Sequence, residues 1–358
     1  MSDTPLSPDA SLTPAMAPEA LRYPLQSRPT PGQTIQVAAG VHWLRMPLPM
    51  ALDHINLWAI EDGEGWTIVD TGMRTAEVAA AWEAVLSGPL AGRPVKRVVC
   101  THMHPDHIGM SGWLTRRFGC PLWITRLEYV TCRMLVADTG REAPQDALRF
   151  YRACGWTPAE LEHYKARFGE FGKMVHALPD SYHRVSSGDT ILIGDHQWHA
   201  VIGHGHSPEH LCLYCPQLHL FIAGDQVLPK ITPNVSVFPT EPAADPLTDW
   251  LESLARIRTV VPDDVLVLPA HNDPYHGLHA RLDRLIEGHE TSLNRLLEAL
   301  SQPKTARDVF SVLFRRPVSA GTLQMATGES VAHLNCLIAR NQIKRWIDTD
   351  GVARYQQC

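Results

Sequence analysis

The sequence predicts an α/β protein, and three observations carry that reading. Short apolar runs alternate with helix-type segments through most of the chain. Histidines and aspartates crowd just past the ends of several of those runs, where open α/β sheets place their chemistry. The 358 residues, 44% hydrophobic and 20% charged, are enough for one large domain with an appendage or for two domains.

Residues 1–34 carry Pro5, Pro8, Pro14, Pro18, Pro24, Pro29 and Pro31, which exclude helices and central strands. They are expected to form an extended or disordered arm, a candidate for wrapping the partner subunit of a homodimer. From about residue 36 the pattern turns to strands. "QVAAGVHWLRMPL", "HINLWAIED" and "WTIVDTG" are apolar runs separated by turn signals such as "EDGEG". "TAEVAAAWEAVLSG" reads as a helix with a glycine stop, "VKRVVCTH" as a buried strand and "IGMSGWLTRRFG" as the helix after it.

A helical insertion is expected over about 125–180. In "TPAELEHYKARFGEF", Thr157 is the N-cap, Pro158 the first helical residue and Glu160 the closing member of a capping box. Leu161, Tyr164, Phe168 and Phe171 then recur at helical spacing. Strands return with "DTILIG", "HQWHAVIG", "HLCLYCPQ" and "LHLFIAGDQV". A helix at "DPLTDWLESLARIR", the strand "VLVLPAH" and a long helix follow, the last with Leu282, Leu285, His289, Leu293, Leu296 and Leu300 on one stripe. This main domain is expected to run over 35–300. Residues 301–358 read as a separate module: helices at "TARDVFSVLF" and "ESVAHLNCLIARNQ", then a hairpin turning at Asp350-Gly351. Helices followed by a two-stranded wing suggest a winged-helix-like shape.

Several function classes are disfavoured at once. No stretch reaches 18 consecutive apolar residues, so no membrane span is expected. The N-terminus lacks the basic and apolar regions of a secretory signal, and the eight cysteines read as reduced thiols of a cytoplasmic protein. Cys212 and Cys215 form a CxxC inside an apolar run, where core packing is the better reading. The tail 301–358 holds eight basic and four acidic residues; its +4 leaves −10 for the rest of a chain whose net charge is −6. Without a dense basic stripe interleaved with aromatics, a nucleic-acid partner is not expected. A small-molecule substrate is.

The nineteen histidines need a reason. "VVCTHMHPDHIGM" puts His102, His104, Asp106 and His107 into six residues directly after a strand. His102 and His104 lean to the same side of an extended chain, Pro105 holds His104 extended, and Asp106 and His107 open the next helix. Imidazole and carboxylate are the usual ligands of zinc and related divalent ions. Further ligand-type residues end later strands: His206 in "IGHGHSPEH", Asp225 in "FIAGDQV" and His271 in "LPAHND". Each alone is more often a packed or surface residue. Together they point to a metal site. There is no G-x-S-x-G nucleophile elbow and no phosphate-cradling loop.

In these motifs the chain resembles the metallo-β-lactamase fold superfamily: Asp70 in "IVDTG", the H-x-H-x-D-H motif from His102 to His107, the "GHS" His206, the "GD" Asp225 and the strand-end His271, in that order over roughly 36–275. The resemblance implies a four-layer αβ/βα sandwich with the site at one edge. It implies two divalent ions, zinc before iron or manganese: His102, His104 and His206 on one, Asp106, His107 and His271 on the other, Asp225 bridging. Asp70 would orient the ligand loop. His204 competes with His206 but fits better as a supporting residue, as does His210. An aspartate at the bridging position, where some true β-lactamases carry cysteine, points toward the glyoxalase-like and lactonase-like branches.

The expected activity is hydrolysis of a small ester, thioester or lactone by a metal-activated water, with Asp106 and Asp225 as catalytic carboxylates. The alternatives are a phosphodiesterase or RNA-processing nuclease, which the tail invites, and a mononuclear iron persulfide dioxygenase. The insertion and the loop after Asp225 are expected to wall the pocket, and Tyr129, Phe150 and Tyr151 hint at an apolar group. Lys230 is a candidate for an anionic substrate group, Tyr275 for donating a proton to the leaving group, and His54 for lining the cleft.

Overall fold

The computed structural model describes residues 21–50 and 52–358. The first half of the chain comprises β1 (Ile35–Ala38), β2 (Val41–Pro47), β3 (His54–Asp62), β4 (Gly65–Val69), α1 (Ala76–Ser87), β5 (Val95–Val99), α2 (Pro105–Ile108), α3 (Ser111–Phe118), β6 (Leu122–Ile124), α4 (Arg126–Ala137), α5 (Gln145–Ala153), α6 (Pro158–Arg167) and β7 (His183–Arg184). These strands make a seven-stranded sheet in chain order, antiparallel from β1 to β4 and parallel from β4 to β7. The second half comprises β8 (Thr190–Ile193), β9 (His196–Gly203), β10 (His210–Cys215), β11 (Leu220–Gly224), α7 (Pro246–Val260), β12 (Leu266–Pro269), α8 (Leu278–Ala299), α9 (Phe310–Leu313), α10 (Leu323–Ala339), β13 (Ile343–Ile347) and β14 (Ala353–Gln357). Strands β8 to β12 form a five-stranded sheet in the order β12-β11-β10-β9-β8, and β13 and β14 pair as a hairpin.

Side chains alternate across a strand, and the alternation builds the layers. On β3, Trp58 and Ile60 face the core between the two sheets, while Leu57 and Ala59 face α1 and α3. On β11, Leu220 and Ile222 face that middle core, while Phe221 and Ala223 face α7 and α8. Strands covered on both sides read as unbroken apolar runs, as "LFIAG" does. The result is the expected four-layer sandwich of helices, sheet, sheet and helices.

Local signals act as anticipated in most elements. Thr75 caps α1 by accepting from the Val78 N–H, and Thr157 and Glu160 form their capping box. The predicted stripe on α8 is buried throughout. Cys212 and Cys215 face different cores from one strand, so they cannot share a metal or a disulfide. Three details differ. The first predicted strand breaks into β1 and β2. The two- and three-residue strands β6 and β7 are too short to leave a periodic signal. The helix expected at "TARDVFSVLF" shrinks to α9, because Lys304 is drawn into a backbone bridge with Tyr355 and Thr305 and Asp308 close a turn on each other.

Residues 21–34 lie along the chain's own body. Leu21 joins the core, Arg22 pairs with the His276 backbone, and Arg28 binds Asp273 through two bonds of 2.6 and 2.7 Å. The rest of the predicted arm lies outside the described residues. The C-terminal residues share one core with α7, α8 and the insertion: Leu313, Leu323, Val331 and Leu334 pack with Trp250, Leu254, Tyr151 and Trp156. No helix among the described residues is long and apolar enough to cross a membrane.

Candidate metal centre

Five strand ends converge on one point. β4 delivers Asp70, β5 the 102–107 segment, β9 His206, β11 Asp225 and β12 His271. Parallel pairing holds Val69 beside Val99 and Gly224 beside Pro269, so the loops leave the sheets at matched heights. Gly224 adopts φ 51°, and a Cβ there would lie 2.7 Å from the His210 Nε2; only glycine permits this turn.

The side chains form two donor clusters, His102, His104, His206 and Asp225 in one, Asp106, His107 and His271 in the other. In the first, His102 Nε2 lies 2.8 Å from His104 Nδ1 and 3.3 Å from His206 Nε2. In the second, Asp106 Oδ2 lies 3.6 Å from His107 Nε2 and 3.4 Å from His271 Nε2. Asp225 stands between them. Its Oδ2 is 3.5 Å from His206 Nε2, and its Oδ1 is 3.6 Å from His107 Nε2 and 3.4 Å from His271 Nε2.

The donors fit divalent cations. His107 Nε2 and Asp225 Oδ1 are buried without a hydrogen-bond partner among the described residues, a costly arrangement unless something else satisfies them. Burial and neighbouring imidazoles push His102 well below its usual value, and burial with His206 brings His104 down to about 3, so both rings are neutral and free to coordinate. Burial opposes charge on the acids, yet His107 and His271 hold Asp106 at about 2, and the same two imidazoles keep Asp225 ionised. Conversely, despite burial, Asp225 and Asp106 raise His271 to about 10.

A surrounding set of bonds aims these groups. Asp70, in the left-handed region at φ 59°, accepts from the Thr101 N–H and hydroxyl and, at 2.8 Å, from His107 Nδ1. His210 stacks on His102 with ring centres 4.7 Å apart, and its Nε2 accepts the Asp225 N–H. His204 Nδ1 is bonded to the Pro208 carbonyl, away from both clusters. His54 is buried beside His271: its carbonyl accepts from His271 Nδ1 and its Nε2 accepts from the Asn272 N–H. It steadies the last ligand loop instead of lining the cleft.

Two groups had no signature in the sequence. Glu128, fully buried on α4, accepts from the Met103 N–H at 2.9 Å, the Ser207 hydroxyl at 2.7 Å and the Glu209 N–H at 2.7 Å, joining the two loops that carry the first cluster. Asn234 accepts His206 Nδ1 on its carbonyl and donates its side-chain amide to Glu329 of α10.

Both clusters open into a cavity of about 2430 Å³ whose lining includes His104, Asp106, His206, Asp225 and His271. The insertion and the loop after Asp225 wall it, as expected, and Phe150 and Tyr151 line it. Tyr129 does not; it stacks on Tyr182 and donates to the Pro179 carbonyl. Tyr275 is fully buried among α8 side chains, where burial raises its phenol, and cannot serve a leaving group in the cavity. Lys230 is exposed over the Tyr23 ring, also away from the cavity. Tyr275→Phe and Lys230→Ala are therefore expected to keep turnover within about twofold of the parent, because neither side chain reaches the cavity. Steady-state kinetics on both variants checks this.

Comparison with known proteins agrees with this arrangement. The profile of the Metallo-beta-lactamase superfamily matches residues 51–271, and that of the Metallo-beta-lactamase-like C-terminal domain matches 293–358. A crystal structure of a Beta-lactamase domain protein from Burkholderia ambifaria is 39% identical, with a TM-score of 0.86 over 94% of this chain and 98% of that one. A probable metallo-hydrolase of Bacillus subtilis is 22% identical over 315 residues, 86% of this chain and 95% of its own length. An Aspergillus fumigatus protein named atrochrysone carboxyl ACP thioesterase is 24% identical over 256 residues, 71% of this chain and 46% of that protein.

Proposed function

The chain belongs to the metallo-beta-lactamase superfamily and is a metal-dependent hydrolase, and we propose that it cleaves the acyl bond of an ester-like substrate, a thioester before an ester or lactone, at a centre for two cations. The observation that carries this reading is Asp225, with one carboxylate oxygen turned to each donor cluster. Divalent ions held there would acidify bound water and polarise a carbonyl. Zinc is the ion we expect, from a donor set of five imidazoles and two carboxylates.

The chain's own part is definable. Asp225 and Asp106 supply the negative charge that offsets the cations. Asp106, partly open to the cavity, is placed to take the proton of the attacking water. Water oxygen joins the acyl carbon, the acyl C–S or C–O bond breaks, and the proton ends on the leaving group. Tyr275 and Lys230, the two residues expected to assist departure or anchor the substrate, lie outside the cavity. A thiolate leaves readily without a proton donor, because a thiol is far more acidic than an alcohol. The apolar cavity wall and the relative named as a thioesterase support the same choice.

The test is an activity panel of thioesters, lactones, aryl esters and bis-aryl phosphodiesters, with metal content measured on the same sample. Thioester turnover with two equivalents of zinc is expected, and chelation should abolish it. Preference for phosphodiesters would move the protein to the nuclease reading. One equivalent of iron with oxygen uptake would move it to the dioxygenase reading.

A further inference from the structure

The C-terminal module contributes a side chain to the cavity that none of this chemistry uses. Helix α10 presses on the loop after Asp225: the Val237 N–H donates to the Gly328 carbonyl, and a Cβ on Gly328 would come within 2.8 Å of Ser236. This contact carries Glu329 into the cavity lining beside Asn234. The residue is 7% exposed. One oxygen, Oε2, accepts from Asn234 Nδ2 at 2.9 Å. Among the described residues Glu329 forms no ion pair, and Oε1 has no hydrogen-bond partner. Among the other acids of the wall, Glu160 is paired with Arg307 and Asp245 caps α7, while Glu241 and Asp249 are exposed to solvent and Glu329 is buried. Glu329 therefore sits two hydrogen bonds from the metal-facing His206, through Asn234, with an open polar atom in an otherwise largely apolar wall.

We propose that Glu329 is a substrate-binding residue that selects acyl groups bearing a hydrogen-bond-accepting oxygen, such as a ketone or hydroxyl, beyond the scissile carbonyl. This rests on the acyl-hydrolase reading for which end of the substrate faces the cations. Burial raises the carboxyl to about 8, so near neutral pH it carries a proton to donate. Asn234 Nδ2 occupies Oε2 and leaves the acidic O–H to Oε1, on the cavity side. A buried donor that waits for an acceptor discriminates sharply, because a ligand lacking the oxygen leaves it unpaired.

The experiment uses the full-length zinc-loaded protein and non-hydrolysable probes: S-decyl-N-acetylcysteamine thioether and matched thioethers with one ketone at successive chain carbons. Binding is measured by calorimetry for the parent, Glu329→Leu and Glu329→Gln, with metal content determined for each. The parent should bind at least one ketone probe about tenfold more tightly than the plain chain, the effect of one good hydrogen bond. Glu329→Leu should lose that preference while binding the plain chain within about twofold and keeping its metal. Glu329→Gln, whose amide also donates, should keep the preference. Absence of any preference in the parent, or its survival in Glu329→Leu, overturns the proposal. The hydrolase reading is decided separately, by whether the parent turns over the corresponding thioesters.

Discussion

Asp225→Ala is expected to leave a folded protein that loses metal and turns over more than about 100-fold more slowly, beyond the 10–100-fold typical when only an orienting partner of a metal ligand is removed. Among the described residues, Asp225 is the carboxylate whose two oxygens reach donors of both clusters, at 3.4 to 3.6 Å. Folding is spared because the three apolar cores are built without it. Asp225→Asn keeps the shape, removes the charge and should be nearly as impaired, which separates electrostatics from packing. His210→Phe gives the scale: it keeps a ring against His102 but deletes the acceptor for the Asp225 N–H, so a 10–100-fold loss is expected. Turnover and metal content, measured together, check the series. Asp225→Ala working within tenfold of the parent would remove the two-cation reading, since no other carboxylate among the described residues faces both clusters.

The donor groups were legible in the sequence because each lies just past a strand end, His102, His206, Asp225 and His271 within three residues of it and His104, Asp106 and His107 within eight, and a strand end fixes a short loop closely. "VVCTH" ends on Val99 and "FIAGD" on Gly224, and the ligands lie just beyond. The layers were legible for a related reason: runs such as "LFIAG" have no polar face to give to solvent. Glu128 and Glu329 were not legible. Each sits within a helix whose sequence reads as ordinary amphipathic or apolar chain, and their partners lie 25 to 95 positions away. No local spacing records such contacts. Tyr275 and Lys230 failed for the converse reason. Closeness to His271 or Asp225 along the chain does not fix direction, and Tyr275 turns toward α8 through its bridge to Val267. The tail's helices and hairpin read as a module of their own, and how closely that module packs on the body leaves no mark in the sequence. In the structure its main helix is buried on nearly every side, and Trp156 of the insertion donates to Thr327 on it at 2.9 Å.

Glu128→Ala should be the most damaging substitution outside the donors themselves. Helix α4 and the His206 loop hold each other reciprocally. Glu128 accepts from Met103, Ser207 and Glu209, while Glu209 accepts the Leu127 N–H on its carboxylate and the Thr125 hydroxyl on its carbonyl. Alanine strands two buried N–H groups, at about 1–3 kcal/mol each, offset in part by removing a carboxyl whose burial already raises its pKa. A net loss of about 2–4 kcal/mol follows, a fall of several degrees in melting temperature. Both loops of the first cluster slacken together, so His104 and His206 should lose metal first. Glu128→Gln isolates the geometry. With its oxygen placed for Ser207 and Glu209, as Oε1 is now, its amide meets the Met103 N–H donor to donor; flipped, it fails the Glu209 N–H instead. One bond is lost either way, so the glutamine variant should fall between parent and alanine in both melting temperature and retained metal. Thermal unfolding of the metal-loaded and chelated forms separates the two contributions. If Glu128→Ala melts with the parent and keeps its full metal complement, the two loops are held by their strands alone and this carboxylate is dispensable.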